Sequence, residues 1–194
     1  MNYSKAQSYS LKKLSEELPE YLSYHGKHHT LDVLEAAQKI ASFEGIKDEE
    51  EITLLKTACL FHDIGFTISG QDHEDRGCEI AEEVLPELNY SIDQINRIKG
   101  MIMATKIPQS PNNKLEQIIC DADLDYLGRD DFFSIGDTLF QELKYLGVVS
   151  DQDAWNNLQV KFLTAHTYFT DWGRNKRQAQ KAEHLQQVED LLKR

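Results

Sequence analysis

The sequence predicts an all-α fold, and three observations carry that prediction. Apolar residues recur with a period near 3.6 along almost the whole chain, no stretch alternates apolar and polar residues at a period of two for any length, and only four prolines interrupt 194 residues. The first stripe predicts a helix near residues 8–24. A second runs over 29–44 and stops before Gly45; a third covers 48–62, with Gly65 beyond it. Asp72-His73-Glu74 opens a fourth, over 73–86, where carboxylates suit the positive end of a helix. The fifth spans 91–105. Pro108 and Pro111 then bracket a loop before the sixth, over 112–127. Helices over 130–146, 152–171 and 174–193 complete the chain, with Gly147 and Gly173 at their junctions. No internal repeat or low-complexity linker divides these elements, so one domain over 1–194 is expected.

Composition narrows the function. With 40% hydrophobic residues the chain can bury one sizeable core. A formal charge of -12, without a basic stripe, argues against binding long nucleic acid. Arg174-Asn175-Lys176-Arg177 reads as a solvated helix face. Cys59, Cys78 and Cys120 are odd in number, widely spaced and set in apolar runs, as reduced core thiols are. The N-terminal segment lacks a signal-peptide apolar region and no run is long enough to span a membrane, so a cytoplasmic protein without a membrane partner is expected. Oligomeric state is not readable.

Helical register selects the polar residues that face inward. His29 shares a stripe with Val33, Ala36, Ala37 and Ile40, and His62 continues the stripe of Ile52, Leu55 and Cys59. Asp63 follows His62 directly. An ionised carboxylate beside a buried imidazole is costly unless a cation compensates it, which points to a divalent ion. Asp121, Asp123 and Asp125 offer a further donor. At about 100° per residue Asp123 and Asp125 lie about 80° either side of the apolar centre, and Asp121 about 120° away, so register favours Asp123 or Asp125.

These residues carry a resemblance. His29-Thr30-Leu31-Asp32-Val33, Leu60-Phe61-His62-Asp63-Ile64-Gly65 and Cys120-Asp121-Ala122-Asp123-Leu124 resemble, in order and spacing, the H…HD…D signature of the HD-domain superfamily of metal-dependent phosphohydrolases. The resemblance covers roughly residues 20–130, leaving 131–194 as additional C-terminal helices. It implies an HD-type helical bundle, with His29, His62, Asp63 and Asp123 as ligands of a divalent metal ion. It also implies hydrolysis of a phosphomonoester or phosphodiester bond in a nucleotide or other small phosphate ester. Imidazole and carboxylate donors suit Mn, Mg, Fe, Co, Ni or Zn. Asp63 is expected to ligate and to orient the attacking water.

Relatives of this type place a histidine where His73 stands, as a further ligand or a group behind the ligands; capping by Asp72 is the alternative for this helix start. Two-metal branches carry extra histidines between the HD motif and the final aspartate, and the segment between His73 and Asp123 has none, which favours one ion. Thr105 continues the inward stripe of Ile95, Ile98 and Ile102, with its hydroxyl facing the site or bonded to its own helix. Lys106 and Arg129 are the cations expected to contact a phosphate. His25 and His28 are expected at the mouth, and Phe162, His166, Tyr168, Phe169 and Trp172 as packing among the last helices. A non-catalytic metal- or nucleotide-binding sensor is the alternative to an enzyme, because ligands alone do not establish turnover.

Overall fold

Side chains that satisfy the exposed N–H groups of a helix's first turn set most of the helix starts in the computed structural model, which describes residues 1–193. Asn2 accepts from the Lys5 amide and starts α1 (Tyr3–Glu17). α1 therefore begins earlier than the expected 8–24 and ends sooner. Leu18 is extended (φ -69°, ψ 138°) because Pro19 follows, and the proline ring excludes helical backbone in the residue before it. α2 (Lys27–Phe43) and α3 (Glu49–Phe61) follow, the latter capped by Asp48. A 3-10 turn over Ile64–Thr67 leads to α4 (His73–Val84). Ser91 and Gln94 form a reciprocal cap on α5 (Ile92–Ala104), and Asn113 caps α6 (Lys114–Asp123). α6 is shorter than the expected 112–127, since its last residues tighten into a 3-10 turn over Asp125–Gly128.

The C-terminal third holds α7 (Phe132–Tyr145) and α8 (Gln152–Ala165), the latter capped by Asp151. In place of the single helix expected over 174–193 there are two, α9 (Asp171–Lys176) and α10 (Gln178–Leu191). The break falls at Arg177 (φ -121°, ψ -33°), inside the run read as a solvated helix face. Arg177 is instead drawn onto Asp125, with Nε 2.7 Å from Oδ1 and Nη2 3.1 Å from Oδ2. A partly buried bidentate ion pair thus interrupts a helix that periodicity alone would continue. Among the described residues there is no strand, and no helix is long and apolar enough to cross a membrane.

Two apolar clusters organise the chain. The larger gathers inward faces of α1 to α6, with Ile40, Leu54, Leu60, Ile98, Ile102 and Ile118 fully buried. The smaller joins Tyr24, Leu127 and Phe132 to Leu163 of α8 and Val188 of α10. α3 is buried on more sides than its stripe implied. Thr57, which lies off that stripe, is inaccessible and shares a 2.9 Å hydrogen bond with the Tyr90 hydroxyl. The three cysteines are free and buried.

α2 packs on α3 and α6, and α4 packs on the 64–67 turn, so the turn after α3 meets the starts of α2 and α4 and the end of α6. Gly65 permits the closest of these approaches. A β-carbon there would lie 1.9 Å from the His73 carbonyl oxygen and 2.8 Å from the Gly77 nitrogen, both rigid backbone atoms. Gly65→Ala is expected to push α4 off the turn and take His73 with it, at a cost on the order of 3 kcal/mol. Thermal unfolding checks this: a fall in Tm of roughly 6–12 °C is expected, and an unchanged Tm would show that the contact is loose.

Candidate metal centre

His29 lies in the first turn of α2, His62 caps the end of α3, Asp63 follows it, and Asp123 is the last residue of α6. Their side chains converge. His29 Nε2 is 3.1 Å from Asp123 Oδ1 and 3.4 Å from Asp63 Oδ2, and His62 Nε2 is 3.2 Å from Asp63 Oδ2, 3.6 Å from Asp123 Oδ1 and 3.4 Å from His29 Nε2. His29, His62 and Asp123 form a group whose ligand atoms can hold one metal ion. Asp63 sits at φ -105°, ψ 3°, in the sparsely populated bridge region, and that backbone aims its carboxylate at the same point.

Hydrogen bonding shows what this arrangement requires. His62 Nδ1 lies 2.8 Å from the Cys59 carbonyl, which can only accept, so Nδ1 carries a proton and Nε2 is the nitrogen that faces the cluster, free to ligate once its own proton is displaced. Asp63 Oδ2 is buried and has no hydrogen-bond partner among the described residues. Two buried carboxylates pointed at one another are unfavourable until positive charge, a proton on the imidazole or a metal ion, stands among them. Burial opposes charging His62, but Asp63 and Asp123 outweigh it and hold the imidazole well above its usual pKa. Burial likewise opposes ionising Asp63 and Asp123, yet the neighbouring histidines keep Asp63 far below the usual carboxylate range and Asp123 at about 2. Carboxylates that stay ionised and a ring that attracts positive charge fit a divalent ion, whose binding would displace the proton from His62.

Around this group stand His73 and His25, both expected near the site, together with Phe66, Tyr24 and Glu142, which the sequence reading passed over. His73 Nε2 is 3.5 Å from Asp63 Oδ1 and 3.4 Å from Glu74 Oε1. Its ring stacks on Phe66 (centroids 4.0 Å apart), whose ring also stacks on His25 at 4.2 Å. Tyr24 packs on His29 at 4.6 Å. Glu142 of α7, only 1% exposed, accepts from the backbone amides of Tyr24 and His25 at 3.0 and 3.1 Å and pairs with His25 Nδ1 at 2.5 Å. It fixes the segment before α2 from across the fold. Periodicity gives no signal for such a pairing, which joins residues more than a hundred positions apart.

Asp72 does not cap α4. It adopts left-handed backbone (φ 53°, ψ 39°), and its carboxylate pairs with Lys106 Nζ at 3.2 Å. Lys106 also binds Asp75 at 2.9 Å, while Arg129 binds Asp32 at 2.9 Å and Asp131 at 2.7 Å. Neither cation lines the cavity at the metal group. Both neutralise surface carboxylates instead. Thr105 is buried and does line that cavity, with its hydroxyl donating to the Ile102 carbonyl at 2.7 Å. His25 lines it too, His28 does not.

The other two aspartates of the triplet are structural. Asp121, read as the most outward, is fully buried, because α6 is covered on a second side by the 168–173 segment. It accepts from the Phe169 and Thr170 amides at 2.9 and 2.8 Å and from the Thr170 hydroxyl at 2.6 Å. Asp125 accepts from Trp172 Nε1 at 3.1 Å and pairs with Arg177.

The His25–Glu142 pair gives a pH signature. Burial opposes its charging, yet Glu142 raises the His25 pKa, and His25 lowers that of Glu142. The His25 contribution is complete below the ordinary histidine pKa and is lost as pH rises through the raised value. The Glu142 contribution is complete above the ordinary carboxylate pKa and is lost as pH falls through the depressed value. Glu142→Gln is therefore expected to cost on the order of 2 kcal/mol near pH 5.5, with a smaller cost toward pH 3 and pH 9. Denaturant unfolding across pH measures it, and a cost independent of pH would show that the pair is not ionised.

The HD-domain model matches residues 27–125. An uncharacterised protein of Clostridium beijerinckii is 33% identical over 91 residues, a stretch that spans 45% of this chain and 57% of that protein. Two crystal structures share the fold. One, of a predicted HD superfamily hydrolase from an uncultured Thermotogales bacterium, has a TM-score of 0.63 at 22% identity, covering 95% of this chain and 90% of that one. The other, of a Lactobacillus plantarum protein, has a TM-score of 0.69 at 18% identity over 97% and 95%. The matched stretch holds more than half of the residues and contains His29, His62, Asp63 and Asp123, and on that match the chain belongs to the HD-domain family.

Proposed function

We propose that this protein hydrolyses the phosphate ester bond of a small substrate, using one divalent ion held by His29, His62, Asp63 and Asp123. The observation that carries this reading is the buried Asp63 Oδ2, unpartnered among the described residues and facing two imidazole nitrogens. Membership of the HD-domain family supports it, as does the description of the Thermotogales structure as a predicted hydrolase. Bound there, the ion would act as a Lewis acid toward the phosphoryl group and lower the pKa of the attacking water.

The protein's own groups do the rest. Asp63 would help hold the ion with one carboxylate oxygen and would orient the attacking water with the other. His73, with Nε2 beside Asp63 Oδ1, is placed to hold a proton for the leaving oxygen. Thr105 keeps two lone pairs at the cavity wall for a substrate hydrogen-bond donor, since its proton is committed to Ile102. Lys106 and Arg129 stay with their carboxylates, which leaves the phosphate's charge to the ion and the histidines.

Elemental analysis and a phosphate-release screen with added Mn, Mg, Ni or Co test the proposal. About one ion per chain and turnover of at least one small ester are expected, nucleotides being included in the panel. Two tightly held ions would refute the single-ion site. Metal bound without turnover across the panel would favour the sensor reading.

A further inference from the structure

Asp63 and Asp123 of the metal group line a cavity of about 290 Å3, and part of its wall is built from a different part of the chain. Tyr24, His25, Glu74, Thr105 and Tyr126 add polar atoms near the metal group, and about half of the lining beyond Asp63, Asp123 and His73 comes from α7 and α8, which lie outside the stretch matched by the HD-domain model. α7 presents Leu139 and Leu143, one turn apart. α8 presents Trp155, Leu158 and Phe162, together with Leu163. Among these residues Gln159 is the one polar side chain, and it is 8% exposed and turned toward Asn156 at 3.4 Å. Among the described residues, no lysine or arginine lines the cavity.

We propose that the substrate is a phosphate ester of an uncharged, apolar alcohol, alkyl or aryl, whose hydrocarbon part lies between α7 and α8 while its phosphate meets the metal group. This rests on the hydrolase reading of the same site and narrows it. A second or third phosphate would require lysine or arginine beyond the metal group, and among the described residues neither lines the cavity. A sugar or nucleobase carries several hydroxyl, amide or amine groups, and against leucine, phenylalanine and tryptophan walls most of them would lose their hydrogen bonds to water without replacement. A hydrocarbon loses nothing there and gains its burial. In the reaction the oxygen of water forms the new bond to phosphorus and the ester P–O bond breaks. The alcohol leaves carrying a proton that originates from that water, and inorganic phosphate remains. Water is the sole co-reactant, so no oxidant or reductant is required.

Two readouts separate this inference from the hydrolase reading. The first compares kcat/KM of the metal-loaded protein for octyl phosphate and 2-naphthyl phosphate with that for glycerol phosphate and nucleoside monophosphates. The second follows quenching of Trp155 fluorescence by octyl phosphonate, which cannot be hydrolysed, with Trp155→Phe as the control. A preference for the octyl and naphthyl esters of roughly tenfold or more is expected, with saturable quenching. Leu158→Glu, at a position already 37% exposed and therefore tolerant of substitution, should reduce the octyl-to-glycerol ratio by roughly tenfold and weaken quenching comparably. Preference for nucleotides or glycerol phosphate would overturn the inference while leaving the hydrolase intact. Hydrolysis of no ester, with quenching that Leu158→Glu abolishes, would overturn the hydrolase reading and uphold the apolar ligand. Neither quenching nor preference would overturn the inference outright.

Discussion

Asp63→Ala is expected to eliminate metal binding and lower phosphate-ester hydrolysis by at least about a thousandfold, with the helical fold intact. The carboxylate stands at the centre of the group: Oδ2 lies 3.2 Å from His62 Nε2 and 3.4 Å from His29 Nε2, and Oδ1 lies 3.5 Å from His73 Nε2. Removing it takes away a ligand, the group that orients the attacking water and the neighbour of His73 together. Little of the core depends on it, since Oδ2 makes no hydrogen bond among the described residues and the apolar cluster around α3 is built by other side chains. A thermal shift reads the two effects separately. An ion present at a hundred times its dissociation constant should stabilise the wild type by roughly 2.7 kcal/mol and the variant by almost nothing. Full metal occupancy and turnover in Asp63→Ala would end the assignment.

A second pair of variants should divide metal affinity from stability. Asp123→Asn is expected to weaken metal binding by about tenfold or more, because an amide is a poorer, uncharged donor, while Tm without metal changes little. Asp121→Asn, two residues away, should do the reverse. Its two oxygens accept three hydrogen bonds from Phe169 and Thr170, and the amide places a donor against donors. A loss on the order of 3 kcal/mol is expected, with hydrogen exchange rising first in α9 and α10, which this contact ties to α6. Metal titration and denaturant unfolding of both variants supply the numbers. An Asp121 effect on affinity larger than that of Asp123 would move the ligand assignment to Asp121.

The structure also shows why register brought Asp123 to the histidines and misjudged the burial of Asp121. The angular argument measured inwardness from a single apolar centre, which suits a helix covered on one side. α6 is covered by α2 and α5 on one side and by the 168–173 segment on another, so the aspartate farthest from that centre became the most buried. α3 is likewise covered off its stripe, where Thr57 is buried against Tyr90. Arg177 shows the complementary case: a basic run with no local reason to stop a helix stops one, because Asp125 waits on a different element.

The sequence by itself determined the class of fold, most helix positions and the inward faces of His29 and His62. These follow from local quantities, namely the 3.6-residue period, capping side chains and breakers, which act over a few residues and are therefore written in the order of the chain. It also carried the spacing of the H…HD…D residues, which marked the family. Only the tertiary structure decided where Asp121, Asp125, Lys106 and Arg129 are spent, that Glu142 holds the segment before α2, and that α7 and α8 wall the cavity beside the metal group. Each of those outcomes depends on which polar group meets which across the fold. Burial makes an unpartnered charge or hydrogen-bonding group costly, so its fate is fixed by neighbours distant in sequence.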